Sequence, residues 1–410
     1  MSMPMILPAR AFGAKRRDTL KVGLIGCGGR GTGAALQALR ADPDVVLTAM
    51  GDVYKAKIDG SLSAIKSDEK VAPRVQVAPE RMFVGLDCYK AVIDSGVDVV
   101  LLASPPGFRP REIIAAIEAG KHVFAEKPMG TDAVNVRKAM EAAKAADAKK
   151  LSFVAGFCWR YDPARREFYK RILDGAIGEI RHIHATYLTG PVKPMPPASA
   201  RPAGMSDVEW QIANWYNFVW LSGDGLVEQA CHSVDKILWA MKDTPPLKCT
   251  ATGGRVYPNN EGNIYDHIDV FYEWPDGMRA TMAQRQIPNC PFNENADYLA
   301  GTKGFGVIKG RVAIRGAVEW TYDGPGGDMY QIEHNELFAS IRAGKPINDS
   351  WRMGISTLAG IMGRMAAYTG AEVTWQHVLN SQEDLFPKDL RWDGSLPIAP
   401  MAMPGKTPLI

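Results

Sequence analysis

Leu20-Lys21-Val22-Gly23-Leu24-Ile25-Gly26-Cys27-Gly28-Gly29-Arg30-Gly31 is the stretch that decides how the chain is read. A mostly apolar run leads into a glycine-rich turn, and Ala34-Ala35-Leu36-Gln37-Ala38-Leu39 beyond it reads as a helix. In a strand–turn–helix unit the first glycine permits a tight turn and the second lets backbone amides approach a pyrophosphate. The third lets helix and strand pack closely. The helix N-terminus then presents its partial positive charge to the phosphates. Taken alone, these residues also admit a glycine-rich structural turn.

The neighbouring segments extend the pattern. Val45–Met50 forms a second apolar run ending at Gly51-Asp52, where an acidic side chain is placed to bind the adenosine ribose. Asp52 favours NAD over NADP, because a carboxylate repels a 2′-phosphate; Lys55 and Lys57 nearby soften that preference. Asp52 also reads as a helix cap before Val53-Tyr54-Lys55. Val97–Ala103 is a short buried strand by its length and β-branched content, and Ser104-Pro105-Pro106-Gly107 turns the chain after it. A helix from about 110 to 119 leads to Lys121–Ala125 and then Glu126-Lys127-Pro128. Strands alternating with helices predict a doubly wound parallel sheet, whose ligands lie at the carboxyl ends of its strands. Gly26, Asp52, Ser104 and Lys127 all fall on that edge.

The glycine turn joined to Glu126-Lys127-Pro128 resembles the Gfo/Idh/MocA oxidoreductases, the family of glucose-fructose oxidoreductase and inositol dehydrogenase. The resemblance runs from Lys21 to about Tyr368. It implies an α/β fold class: an N-terminal Rossmann domain, then a C-terminal α/β domain with a large, mostly antiparallel open sheet. It implies hydride transfer at a carbinol carbon of a sugar, cyclitol or glycoside, and a homo-oligomer, dimer or tetramer. The expected division is an N-terminal arm or export-signal remnant over 1–18, an NAD-binding domain over 19–155, a substrate and oligomerisation domain over 156–385, and a tail over 386–410. The coenzyme positions are Gly26, Gly28, Gly29, Arg30, Gly31, Asp52, Ser104, Pro105, Glu126 and Lys127, with NAD the expected coenzyme and NADP the less expected one.

In the second half, Glu228, His232 and Asp235 stand four and three apart in an apolar-periodic stretch, so a helix over it puts them on one face. Oxidising an alcohol needs a group to take its proton, and a histidine oriented by carboxylates suits that task near neutral pH. The family carries an acidic residue, commonly Asp, four positions before such a histidine; here it is Glu228. His232 is therefore assigned as general base, Lys127 as hydrogen-bond donor to the reacting oxygen, and Glu228 as the residue that orients His232 or binds a neighbouring hydroxyl. The alternative for His232 is a satisfied histidine on a packed helix, and for Lys127 a solvated strand-end lysine. Arg160, Tyr161, Asp235 and Arg285 are candidates for substrate hydroxyls. Arg160 reads equally as an ion-pair partner, with Trp159 in the core. His334 reads as a helix-surface residue without a catalytic role.

Composition narrows the partners. With 48 basic against 45 acidic residues, nothing points to nucleic acid or an anionic membrane. No apolar run approaches a membrane span, and the six scattered cysteines show neither a zinc pattern nor a disulfide framework, so no metal is expected. A helix is expected over 133–150, strands over 180–188, 264–274 and 278–286, and a proline-rich lid or interface loop over 191–202. Residues 5–14 resemble the tail of a twin-arginine export signal without its arginine pair. The expectation is a periplasmic protein whose signal is truncated in this chain, with a cytoplasmic protein as the alternative. The competing functions are an NAD-dependent redox glycosidase or lyase working through a transient keto-sugar with no net NADH, and a silent sensor on the same scaffold. The joint presence of Lys127 and His232 argues against the sensor.

Overall fold

The computed structural model describes residues 18–257 and 261–410. The export-signal segment and most of the expected N-terminal arm lie outside the described residues. Two sheets organise the rest. The first is β1 (Leu20–Ile25), β2 (Val45–Asp52), β3 (Met82–Val84), β4 (Val99–Leu102), β5 (His122–Ala125) and β6 (Phe153–Ala155), all parallel, in the order β3-β2-β1-β4-β5-β6. Helices cover both faces, which is why β4 reads Val99-Val100-Leu101-Leu102 with every residue buried rather than alternating. The order reverses between β1 and β4, and the glycine turn opens at that switch point.

The second sheet has β7 (Ile180–Thr189), β8 (Lys248–Gly254), β9 (His267–Glu273), β10 (Arg279–Gln286), β11 (Glu294–Gly301), β12 (Gly304–Lys309), β13 (Arg311–Gly316), β14 (Trp320–Thr321) and β15 (Val373–Thr374). Its order is β14-β13-β12-β11-β7-β10-β9-β8-β15, antiparallel throughout except for the β7–β10 pair. Alternation holds where one face is buried: in β10, Ala280, Met282, Gln284 and Gln286 face inward.

Two segments cross between the halves. The helix Met329–Ala343 packs on the glycine-turn helix Gly29–Ala41, and Phe153 of β6 exchanges backbone hydrogen bonds with Ile347 and Asp349 at 2.7 and 2.9 Å. Residues 329–349, assigned by sequence to the second domain, thus rest on the first sheet. The tail beyond Asn380 contains no helix or strand, yet it is tied down along its length. Leu396 bonds Asp207 and Gln211 at 3.1 and 2.6 Å, Ala399 bonds Asn263 at 3.1 Å and Ala402 bonds Tyr265 at 2.9 Å. Its Phe386 meets Phe108 and Trp220 edge-on, and its Trp392 meets Tyr54. This apolar cluster joins the first domain, the segment 205–222 and the tail. Phe108, buried at its centre, is expected to cost about 3 kcal/mol when cut to Ala, read from a denaturant titration by tryptophan fluorescence; a loss under about 1 kcal/mol would show that the cluster does not bind the halves together.

Candidate active site

The glycine turn is built by close approach. Gly26 has φ +90°, and a Cβ there would lie 2.5 Å from the Ala103 carbonyl carbon and the Ser104 nitrogen. A Cβ on Gly31 would lie 1.8 Å from the Gly26 oxygen, so the helix seats on the turn only without a side chain. Gly28 and Gly29 differ: a Cβ on either meets nothing within 4 Å. They border open space at a helix N-terminus that no side chain caps. Such a terminus offers free amides to an anion. The residues present therefore fit a dinucleotide pyrophosphate.

Asp52 braces this turn, its Oδ2 accepting from the Cys27 amide at 2.7 Å and its Oδ1 from the Tyr54 amide at 2.9 Å. Burial pushes its pKa up, against the pull of those donors. Arg30 ion-pairs with Glu126, with Glu333 at 2.8 Å, and donates to Gln37 at 2.7 Å. Arg30 and Glu126 thus lock the turn to the end of β5 and to the helix Met329–Ala343. The Ser104 hydroxyl bonds Glu112, and its carbonyl accepts from Arg109 at 2.5 Å. Pro105 starts the turn closed by the Phe108 amide at 3.0 Å. Asp52 ends β2, and Gly26, Ser104 and Lys127 follow β1, β4 and β5, so four adjacent strands bring these residues to one edge.

Lys127 leaves β5 through a cis peptide bond to Pro128 and crosses into the second domain. Its Nζ donates to Glu228 Oε1 at 2.9 Å and to the Glu228 carbonyl. Lys127, Glu228 and His232 are each 8% exposed. Burial alone would lower the Lys127 pKa; the Glu228 carboxylate overrides it and lifts the value above the ordinary lysine range. Lys127 is an ammonium held away from bulk water.

The single helix expected to carry Glu228, His232 and Asp235 is two helices, Gly225–Glu228 and Cys231–Ala240. Between them the Ala230 amide reaches back five residues to the Gly225 carbonyl, at 3.0 Å, and the wider turn rotates one segment against the other. Glu228 consequently faces Lys127. His232 is oriented by aromatic rings: Trp159 stacks on it at 5.3 Å and 22°, and Phe157 meets it edge-on at 6.0 Å. Its Nδ1 is buried with no partner. Burial first, then the charges of Lys127, Lys236, Arg165 and Arg30, hold its pKa well below the usual histidine range. A neutral, under-bonded imidazole within electrostatic reach of a lysine ammonium can take a proton while the ammonium steadies the oxygen that loses it.

The four substrate-contact candidates are committed to protein groups. Asp235 grips the Arg160 guanidinium at 2.8 and 2.9 Å, and Arg160 also binds Asp243 at 2.5 Å. Tyr161 donates to Asp349 at 3.0 Å. Arg285 holds the loop carbonyl of Phe292 and the Asn293 side chain, the latter at 3.1 Å. His334 corrects the surface reading: it is fully buried against Phe124, with ring centroids 4.3 Å apart, because its helix docks on the first domain. Burial pushes its pKa down to about 3.

Sequence reasoning missed Gln284 and Tyr187. Both amide atoms of Gln284 are buried without partners, next to Gly225, whose added Cβ would lie 2.8 Å from its Nε2. Gln286, two residues on, donates to the Tyr216 hydroxyl at 2.6 Å. Two glutamines on the inward face of a strand were the available signal. Tyr187 accepts from Gln229 at 2.6 Å and stacks on Trp159. Tyr216 and Gln286 also line a cavity of about 100 Å³, walled by Lys193, Pro194 and Met195 of the proline-rich loop. Among the described residues no group of three or more His, Cys, Asp or Glu gathers as for a metal, and no helix is long and apolar enough to cross a membrane.

Comparison with known proteins gives two domain matches. Residues 20–157 match an oxidoreductase family with an NAD-binding Rossmann fold, and residues 166–305 match the GFO/IDH/MocA C-terminal domain. The inositol 2-dehydrogenase of Rhizobium meliloti is 22% identical over 354 residues, 83% of this chain and 94% of that protein. Among solved structures, a levoglucosan dehydrogenase in complex with NADH and levoglucosan superposes with a TM-score of 0.66 at 20% identity, covering 87% of this chain and 99% of the other. The scyllo-inositol dehydrogenase of Lactobacillus casei, with NAD(H) and scyllo-inositol, gives 0.64 at 20% identity over the same shares. At these identities the structures establish a shared fold.

The glycine positions separate packing from binding. Gly29→Ala is expected to fold normally and weaken NAD binding, since its methyl enters the open cradle. Gly31→Ala is expected to shift the turn, losing both stability and binding. Calorimetric titration with NAD and thermal melting check the pair, and equal behaviour of the two would contradict the assignment.

Proposed function

The chain belongs to the Gfo/Idh/MocA oxidoreductases, and from that premise we propose that it is an NAD-dependent dehydrogenase acting on a secondary alcohol of a sugar, glycoside or cyclitol. The observation that carries this reading is the Lys127 ammonium, set at the end of β5 on the sheet edge where the glycine turn opens and charged through Glu228, with neutral His232 within its electrostatic reach. A nicotinamide bound in the cradle supplies the hydride acceptor. Lys127 donates to the carbinol oxygen and stabilises the negative charge that grows there, which in a water-poor site is worth about 3 kcal/mol. His232 accepts the hydroxyl proton at a ring nitrogen. Glu228 keeps Lys127 protonated throughout. Trp159 and Phe157 hold the imidazole, and Tyr187 backs the Trp159 ring.

Asp52 supports NAD over NADP, because a carboxylate at the end of β2, next to the glycine turn it braces, repels a 2′-phosphate. The names of the relatives support the substrate class: inositol and anhydro-sugar dehydrogenases both take a ring bearing secondary hydroxyls.

Incubating the protein with NAD and a panel of cyclitols, free sugars and glycosides, while following reduced-nicotinamide absorbance, tests the reading. Lys127→Ala and His232→Ala are each expected to lower turnover by about 10²-fold or more while NAD still binds. Activity within a few-fold of wild type in both variants would refute the site. Cleavage of a glycoside without NADH accumulating would move the reading to the redox glycosidase.

A further inference from the structure

Lys236 lies one turn beyond His232 on the helix Cys231–Ala240, and the reaction as described gives it no task. It is 1% exposed and donates to Asp297 Oδ2 of β11 at 2.5 Å. Its ammonium also sits 3.9 Å from the centroid of the Trp159 ring, the ring that stacks on the His232 imidazole. Replacing such a buried ion pair by apolar residues of equal volume is often neutral or stabilising, so this pair is not explained by stability alone. Its placement explains it better. Lys236, Trp159 and His232 form one contiguous stack, and Asp297 anchors the far end.

We infer that Lys236, held by Asp297, is a positioning residue for His232. It fixes the Trp159 ring on which the imidazole rests and supplies a positive field that keeps the imidazole uncharged. The other charged groups around His232 come from several elements. Lys127 arrives from the end of β5 with Glu228 upon it, Arg165 from the helix Pro163–Leu173, where it lies 4.6 Å from the Trp159 centroid, and Arg30 from the glycine turn. The nearby carboxylates are engaged elsewhere: Asp235 with Arg160, Asp297 with Lys236. The Cys231 thiol donates to the Glu228 carbonyl at 3.2 Å. Among the described residues no carboxylate bonds the imidazole, so cations dominate its surroundings. Burial lowers Lys236 to about 8, which leaves it an ammonium through the acidic and neutral range. A cation nearby makes protonating the imidazole harder, so His232 stays unprotonated and free to accept below pH ~6.5, where a free histidine is more than half protonated.

This inference rests on His232 being the base, and the test separates the two ideas. Lys236→Gln with Asp297→Asn removes both charges while leaving a hydrogen-bonded amide pair, so no lone ion is buried. The readouts are the His232 imidazole titration, by NMR of the histidine-labelled full chain, and the pH profile of kcat/KM for oxidation. Both the titration midpoint and the acid limb are expected to rise, by about one pH unit, a tenfold change in proton affinity. Lys236→Arg, which keeps the cation, is expected to return both toward wild type. Unchanged midpoints in the double variant would overturn the inference. A moved midpoint with an unmoved acid limb would overturn the base assignment, and the positioning role with it.

Discussion

A lysine charge sealed from water at the carboxyl edge of the first sheet is the constraint on which the rest of the structure depends. Burial would strip the proton from Lys127, and the Glu228 carboxylate is what retains it. That partner lies 101 residues away in the other domain, so docking the two halves buries the ammonium and in the same step supplies the carboxylate that keeps it charged. The segment after β5 is pinned accordingly. The Met129 amide donates to Thr357 at 2.9 Å, Thr131 donates to the Trp220 carbonyl at 3.1 Å, and the buried Arg364 donates to the Thr131 carbonyl at 2.6 Å. Each bond joins Rossmann backbone or side chain to the second half of the chain. Gly107 completes the approach: a Cβ there would stand 2.3 Å from the Trp220 oxygen. Removing one member of a buried ion pair typically costs 3–5 kcal/mol, so Glu228 serves the fold in its own right.

The histidine is held by different physics. A carboxylate hydrogen bond would orient the ring and also raise its pKa, making it cationic sooner. Stacking on Trp159 and edge contact from Phe157 orient the ring without adding negative charge. The imidazole is thus placed by rings that bury it, and burial with the nearby cations keeps it neutral, as the proposed proton acceptor requires. The unpaired Nδ1 and the unpaired Oε2 of Glu228 are the cost of this arrangement, and orphaned buried polar atoms gather at sites built for chemistry rather than stability.

What was legible in the sequence follows from how local the signal is. The glycine turn, β1, β2, β4 and β5 are written in contiguous residues, because a strand buried on both faces reads as an apolar run and a tight turn demands glycine. The helix after Asp132 was visible for the same reason: it runs Ala133–Ala148, and Asp132 caps it by accepting from the Asn135 amide at 2.8 Å. The break between Glu228 and His232 was not visible, since the apolar spacing continues through Gln229-Ala230 and the interruption is one backbone hydrogen bond reaching a residue too far. Arg160, Asp235 and Lys236 carry charges that sequence places at random relative to one another. Their pairings, 75 and 61 residues apart, are products of the docked fold. His334 looked superficial for a like reason, because nothing nearby in sequence announces that its helix lies on the first domain. Strand β11 hid its inward Asp297 in a polar stretch, and the tail had no periodicity to read.

The most direct test of the account is a crystal structure of the ternary complex with NADH and the substrate identified by the panel. The carbinol oxygen is expected within about 3 Å of both Lys127 Nζ and a ring nitrogen of His232, with the pyrophosphate over Gly28 and Gly29. A substrate whose reacting oxygen met neither side chain, with Lys127 still closed on Glu228, would contradict it.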